Sequence, residues 1–348
     1  MKTSVVIATY NGSRFITEQL ESIIHQTVLP SEIVISDDGS TDSTIELIQS
    51  FRERIKDLPI QVKLIKNDSD HGVLGNFQNA AIHANGDYIF FCDQDDIWFP
   101  TKVEYMVKTM DSHEEQVFIH NAQVLKEEPD GSFRPIEKHL MASYPFDANG
   151  VHKINGSEEV WPLFYCCVIQ GMCMCVKRDY LLSVLPFSKG SGHDYWIQFC
   201  AVADNSILAV KEDLAYYRIH SNNVAGISEF KKKRPLWSRI QTFDKKGKES
   251  ILKQYVWYKD AKAYLKDRPI SDELIKLLID FFTQERILAV SRNKFRGLYD
   301  LVQARKKGVY KIDRDIIFFH DVGFVLMHSK KYRKTFIADL DRYLRKTN

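Results

Sequence analysis

Phe91-Cys92-Asp93-Gln94-Asp95-Asp96-Ile97-Trp98 is the stretch on which the reading of this chain turns. It follows the short apolar run Tyr88-Ile89-Phe90-Phe91, bounded by Asn85-Gly86-Asp87, which has the length and composition of a buried strand. Aspartate disfavours strands and is almost never buried without a partner, so three carboxylates in four residues at a strand's end need a reason. Adjacent like charges repel unless something positive lies between them. A hard divalent cation shared with substrate phosphates would relieve that repulsion. The plainer reading is a solvated acidic turn leading into the helix that Pro100 opens. This stretch alone leaves both readings standing.

Working outward, the same arrangement of a strand ending in polar residues recurs. Residues 3–9 are a β-branched run ending in Tyr10-Asn11-Gly12-Ser13, followed by a helical pattern carrying Phe15, Ile16, Leu20, Ile23 and Ile24. Glu32–Ser36 is a second strand, ending in Asp37-Asp38-Gly39-Ser40-Thr41-Asp42. There Thr41 or Asp42 is placed to cap the helix bearing Ile45, Leu47, Ile48 and Phe51. Gln61–Lys66 reads as a third strand and Val73–Ala84 as a helix. Alternating short strands and helices predict an α/β layered fold with a largely parallel sheet. Ligands of such sheets bind at the carboxyl ends of the strands, which puts Thr9-Tyr10-Asn11, Asp37-Asp38 and Asp93-Gln94-Asp95 on one edge. That coincidence predicts a nucleotide pocket. The first strand-to-helix turn is not GxGxxG, which argues against a dinucleotide site, and no P-loop is present.

Farther along, Lys102–Met110 reads as a helix, Gln116–Lys126 as a strand, and 134–156 as a long loop. Val168–Val176 has the pattern of a strand interrupted by Gly171, where backbone is expected to approach ligand closely. Tyr195–Ala203 reads as a helix, and Asn205–Val210 and Leu214–Ile219 as two strands. Ser221–Pro235, with the run Lys231-Lys232-Lys233-Arg234, reads as a boundary and a lid. Beyond it Ile251–Leu265, Asp272–Val290 and Ile316–Leu344 fit amphipathic helices. The expected division is a first domain over 1–230 and a helical region over 231–348. The near-zero net charge conceals the same division. Residues 231–348 hold 30 Lys and Arg against 14 Asp and Glu, leaving 18 against 32 in residues 1–230.

The six cysteines form no CxxC pair, so buried reduced thiols are expected and a zinc site is not. No run approaches the roughly 18 uncharged apolar residues of a membrane span, so the expectation is a cytoplasmic protein without signal peptide or anchor. Three readings of the basic tail stand: a solvated face, a nucleic-acid site, and attraction to an anionic inner leaflet through basic clusters beside Trp237, Phe243, Trp257 and Tyr258. No recognisable module accompanies the charge, so nucleic acid is not expected as a partner. The oligomeric state is not legible.

In order, Val5-Val6-Ile7-Ala8-Thr9-Tyr10-Asn11-Gly12, Ser36-Asp37-Asp38-Gly39-Ser40-Thr41-Asp42, Asp93-Gln94-Asp95-Asp96-Ile97-Trp98, His193-Asp194-Tyr195-Trp196 and Tyr217-Arg218-Ile219-His220-Ser221-Asn222-Asn223 form a set. Over roughly residues 1–225 the chain resembles the family-two inverting glycosyltransferases of GT-A fold, and within them the bacterial rhamnosyltransferase-like branch. The resemblance implies a Rossmann-like mixed sheet flanked by helices, and the C-terminal helical region follows it in the chain. It implies an inverting, metal-dependent transfer from a nucleotide sugar to a glycan or lipid-linked glycan in surface polysaccharide synthesis. The first donor is dTDP-L-rhamnose, the alternative a UDP-hexose. A non-catalytic carbohydrate- or nucleotide-binding module is the competing class.

By this resemblance Thr9, Tyr10 and Asn11 surround base and ribose, and Asp38 accepts the imide N–H of uracil or thymine. The alternative is that Asp37 and Asp38 only orient their turn. Asp93 and Asp95 hold Mn²⁺ or Mg²⁺ against the diphosphate, Asp95 as the firmer ligand and Asp93 with ribose as its other option. His220 serves metal, phosphate or structure. Arg218 is a phosphate clamp or a buried partner for an acid. Asp194 is the expected general base, with a helix N-cap as its plainer role. Asp96, Gly171 and His193 are further substrate-side candidates. Trp98 and Trp196 belong to the core or stack on a sugar.

Overall fold

The computed structural model describes residues 1–142, 145–154, 170–220, 223, 243–266 and 294–306, with the isolated positions 268, 280, 284 and 286. The chain divides into two compact units, Met1–Phe187 with Gly192–Gly226, and Ser188–Ser191 with Ile227–Asn348.

The first unit is built on one mixed sheet. Its strands are β1 (Thr3–Thr9), β2 (Glu32–Asp37), β3 (Gln61–Lys66), β4 (Tyr88–Cys92), β5 (Ile97–Trp98), β6 (Val117–Glu127), β7 (Phe133–His139), β8 (Val151–Lys153), β9 (Met174–Lys177) and β10 (Ile207–Ile219). Along the sheet they run β3-β2-β1-β4-β9-β6-β10-β5, with β7 on β6 and β8 on β10. The first four are mutually parallel, whereas β9 lies antiparallel between β4 and β6. Val5, Val6, Ile7, Ile33, Val34, Ile35, Ile89, Phe90 and Phe91 are all fully buried, as expected of strands covered on both faces.

Helices α1 (Ile16–Ile24), α2 (Thr44–Arg54), α3 (Val73–Ile82), α4 (Lys102–Ser112), α5 (Arg178–Ser183) and α6 (His193–Ala203) flank this sheet. The apolar spacing of α1 turns Ile16, Leu20 and Ile23 inward, and α3 buries Phe77, Ala80 and Ala81. Register then fixes the functional edge. Thr9 pairs with Asp37 and Ile7 with Cys92, so Tyr10, Asp38 and Asp93 leave the sheet side by side.

Several sequence expectations need correction. The segment 134–156 is not wholly loop, since it contains most of β7 and all of β8, short pieces paired at the margin of longer strands. Residues 171–173 form a 3-10 turn before β9 rather than a continuous strand, and the first two residues of the expected strand, Val168 and Ile169, lie outside the described residues. The two strands expected over 205–219 are one, β10, whose pairing with β6 shifts register near Asp213. Ser43, not Thr41 or Asp42, stands at the N-cap of α2, although the Asp42 carboxylate accepts the Thr44 N–H from one residue earlier. Helix α5 is a further addition.

In the second unit, α7 (Phe243–Leu265) and α8 (Lys294–Lys306) are described. Helix α7 starts before the expected Ile251 and is anchored by Ile251, Val256, Trp257 and Ala261, all buried. The loop 188–191 rests on it: Ser188 Oγ donates to Asp260 at 2.7 Å. A Cβ on Gly190 would run into the α7 backbone at Trp257 and Lys253, so only glycine fits there. The lid expected over 221–235 lies outside the described residues apart from Asn223, as do nearly all of Asp272–Val290 and the whole of Ile316–Leu344.

Candidate active site

Three loops at the carboxyl edge are tied together before any ligand is considered. Asp37 is buried and spends its carboxylate internally, accepting from Gly39 N (3.0 Å), Ser40 N (2.8 Å), Ser40 Oγ (2.6 Å) and Thr9 Oγ1 (2.8 Å). That closes the turn after β2 and joins it to β1. It also commits the hydrogen of the buried Thr9 hydroxyl. Asn11 sits at φ +48°, a left-handed conformation asparagine tolerates. Its Oδ1 accepts the Thr41 N–H at 2.8 Å, which fixes the two turns to each other.

The acidic stretch is held to the first turn by Gln94. Its amide pairs with Tyr10 in both directions, Oε1 accepting Tyr10 N–H (3.0 Å) and Nε2 donating to Tyr10 O (3.2 Å). A Cβ on Gly12 would overlap that same amide, which explains the glycine. With its backbone fastened, Tyr10 leaves its ring exposed above the edge.

Asp38 is more committed than its sequence suggested. Oδ1 accepts from Asn67 Nδ2 and His71 Nδ1, both at 2.8 Å, and Oδ2 accepts Gly72 N–H at 2.7 Å. A carboxylate has about four acceptor positions, so one remains for a ligand donor. Asn67, His71 and Gly72 lie in a polar loop with no periodic signal, and sequence reasoning missed them. Gln94 was in plain sight but carried no expected role.

Asp93, Asp95 and Asp194 interact. Burial, then the Asp95 charge, then the Asp194 charge push the Asp93 carboxyl up to about 8, against the opposing pull of Lys102. Asp95 Oδ2 lies 2.9 Å from His220 Nε2, and the His220 ring packs on Phe15 with centroids 4.5 Å apart. Asp194 stands in the first turn of α6, after Gly192 at the N-cap, and its Oδ1 accepts the Tyr195 N–H. Its place beside the acidic stretch is set by His193, whose ring stacks on Phe77 of α3 (4.0 Å) and Phe91 of β4 (5.2 Å).

Other candidates are buried. His193 is enclosed by those rings, and desolvation lowers its pKa below the ordinary imidazole value. Gly171 faces this histidine rather than a ligand: an added Cβ would stand 2.6 Å from His193 Nε2. Trp98 and Trp196 are core residues, Trp196 donating from Nε1 to Val184 O at 2.8 Å, so neither presents a face to a sugar. Asp96 is buried too. Its Oδ1 accepts the Arg218 N–H at 2.8 Å, and desolvation with Asp95 and Asp93 pushes its carboxyl well up. Arg218 is a buried partner for an acid: Nη2 donates to Glu18 at 2.7 Å, and its guanidinium lies 4.8 Å from the ring centroids of Phe15 and of Phe133.

Among the described residues no three His, Cys, Asp or Glu side chains stand together as a ready-made metal cage. The donor chemistry nonetheless fits a hard or borderline divalent cation. Asp93 is a buried carboxyl with the Asp95 and Asp194 charges acting on it, and an imidazole adjoins Asp95.

Residues 4–169 match the model of Glycosyl transferase family 2. Over those residues the chain is similar to a family 2 glycosyltransferase domain. It is 28% identical over 226 residues to the uncharacterised glycosyltransferase alr2836 of Nostoc, covering 64% of this chain and 66% of that protein, just under two thirds of its length. It is 28% identical over 233 residues to the dTDP-rhamnosyl transferase RfbG of Shigella flexneri, covering 63% and 73%. Identity is 24% over 244 residues to the UDP-Glc:alpha-D-GlcNAc-diphosphoundecaprenol beta-1,3-glucosyltransferase WfgD of Escherichia coli, covering 69% and 85%. Among solved structures it resembles TarS residues 1–349 of S. aureus in complex with UDP-GlcNAc, at TM-score 0.57 and 16% identity over 97% of this chain and 92% of that one. That likeness establishes the GT-A-type fold.

Proposed function

We propose that this chain is an inverting, metal-dependent glycosyltransferase that moves a sugar from a pyrimidine nucleotide donor to a glycan acceptor in surface polysaccharide synthesis. The observation that carries this reading is that the charges of Asp95 and Asp194, from two separate elements, both bear on the buried Asp93 carboxyl, at the edge where Tyr10 and Asp38 also emerge.

Each residue then has a task. Tyr10 offers an aromatic face to the base, and the remaining acceptor position on Asp38 takes its imide N–H. Asp93 and Asp95, with His220, would hold Mn²⁺ or Mg²⁺. When bound, that cation supplies positive charge to the departing nucleoside diphosphate. Asp194 accepts the proton of the acceptor hydroxyl as its oxygen attacks the anomeric carbon and the bond to the phosphate oxygen breaks on the opposite face. One displacement inverts the anomeric centre without a covalent enzyme intermediate.

The donor we favour is dTDP-L-rhamnose, supported by the likeness to RfbG; a UDP-hexose is the second reading, supported by the likeness to WfgD. A lipid-linked acceptor fits the basic C-terminal region, where α8 exposes Phe295, Tyr299 and Val302 together with Arg305 and Lys306. No helix among the described residues is long and apolar enough to cross a membrane.

The test is release of nucleoside diphosphate from dTDP-rhamnose and from UDP-sugars, with and without EDTA. Release that depends on metal and is abolished by D194N is the expected result. Binding of every donor without turnover would instead indicate a non-catalytic module.

A further inference from the structure

Lys102 opens α4, and its side chain is completely buried. A buried ammonium is costly and normally pairs directly with a carboxylate. This one does not: among the described residues, no acidic oxygen comes within salt-bridge reach of it. Its Nζ donates to the backbone carbonyl of Met172 at 2.7 Å and lies 3.8 Å from the centroid of the Trp98 ring. The groups facing it are the acids Asp93 and Asp96, the thiols Cys92, Cys173 and Cys175, and the imidazole of His120. Burial keeps those thiols protonated and His120 neutral, so Lys102 is the positive charge set against the acidic floor of the site.

Met172 gives this contact its reach. It belongs to the 3-10 turn Gly171–Cys173, and Gly171 lies directly against the next layer of the site. A Cβ there would stand 2.6 Å from His193 Nε2 and 3.4 Å from the Cβ of Asp194. A continuous series of contacts thus runs from the Lys102 ammonium through the Met172 carbonyl and Gly171 to His193 and Asp194. If Lys102 were there only to fill space, its methylene stem would suffice and a methionine would do as well.

We propose that Lys102 is a positioning residue: its ammonium ties down the turn against which His193 and Asp194 rest, and so holds the proposed base in place. This rests on Asp194 being that base. The experiment uses the full chain and follows nucleoside diphosphate release from the donor that the wild type turns over, with donor affinity measured separately by calorimetry. K102M keeps the volume and removes the charge and the hydrogen bond. Its expected signature is a kcat about 10- to 100-fold lower with donor Kd and KM little changed, because a misplaced base loses rate while Tyr10 and Asp38 still hold the nucleotide. G171A reaches the same turn from its other side without disturbing the buried charge, and the same split is expected. A folded K102M with wild-type kcat overturns the proposal. Should K102M fail to fold, G171A decides: full kcat there overturns it equally. If D194N itself turns over normally, it is the assignment of the base that fails, and the two outcomes are told apart by that variant.

Discussion

Asp194 and Gln94 make opposite demands on a mutation. Replacing Asp194 with asparagine keeps size and the acceptor for Tyr195 N–H but removes the proton acceptor. Transfer should fall by about 10²–10⁴-fold, the usual worth of a positioned general base, with donor binding preserved by calorimetry. Gln94 touches no reacting atom in this account. Gln94→Ala removes both bonds to the Tyr10 backbone, freeing the first turn from the acidic one. Its expected effect is weaker donor binding, with KM rising more than kcat falls. An unchanged KM would mean that the Tyr10 turn is held by its links to Ser40 and Thr41 alone.

At the scale of the element, the loop between β3 and α3 acts as the clamp on Asp38, and it has little slack. Asn67 Nδ2 binds both Asp38 and the carbonyl of Asp70, and a Cβ on Gly75 would overlap that same carbonyl. Gly75→Ala should therefore lower the thermal midpoint, costing about 1–3 kcal/mol as overpacking does. It should also weaken nucleotide binding, because the strained loop carries His71 and Gly72 away from Asp38. A stable variant with intact binding would show that the loop yields without moving them. Helix α8 invites a separate test. Converting Phe295 and Tyr299 to glutamate should abolish co-sedimentation with anionic vesicles while leaving helicity by circular dichroism unchanged. Equal sedimentation of both proteins would leave the exposed stripe without that role. These elements differ in how far their sequence announced them. Strands β1 to β4 were legible because burial on both faces leaves unbroken apolar runs with polar ends. Strand β7 was not: Phe133–His139 contains proline and charges because it borders solvent, and pairing with β6 rather than its own composition makes it a strand. The same logic hid the Asp38 clamp, since polar loops gain their order from partners distant in sequence.

For the whole molecule, the parallel register carries Tyr10, Asp38 and Asp93 to one edge, and the stacked His193 brings Asp194 to it from α6. Sequence order could suggest the first three because each ends a recognisable strand. It could not place Asp194, whose position depends on the aromatic packing of its neighbour, and for Arg218 and both tryptophans burial was one of two readings that sequence left open. The convergence has a consequence for pH. With its carboxyl pushed up to about 8, Asp93 keeps its proton in the folded, metal-free protein across the range from about 4 to 8, where the unfolded chain has released it. This group's contribution to stability is therefore greatest below the unfolded value, declines as pH rises, and is lost above about 8. Cation binding runs the other way, because the ligand must be ionised and bound metal competes with that proton. Apparent Mn²⁺ affinity in the presence of nucleoside diphosphate should climb with pH and level off above about 8. In D93N the affinity should be weaker and the part of the slope due to this proton should vanish. Titrations followed by the electron paramagnetic resonance of free Mn²⁺ measure this directly. A slope unchanged in D93N would place the competing proton elsewhere, and Asp93 would then lose its role as the charge that the cation relieves.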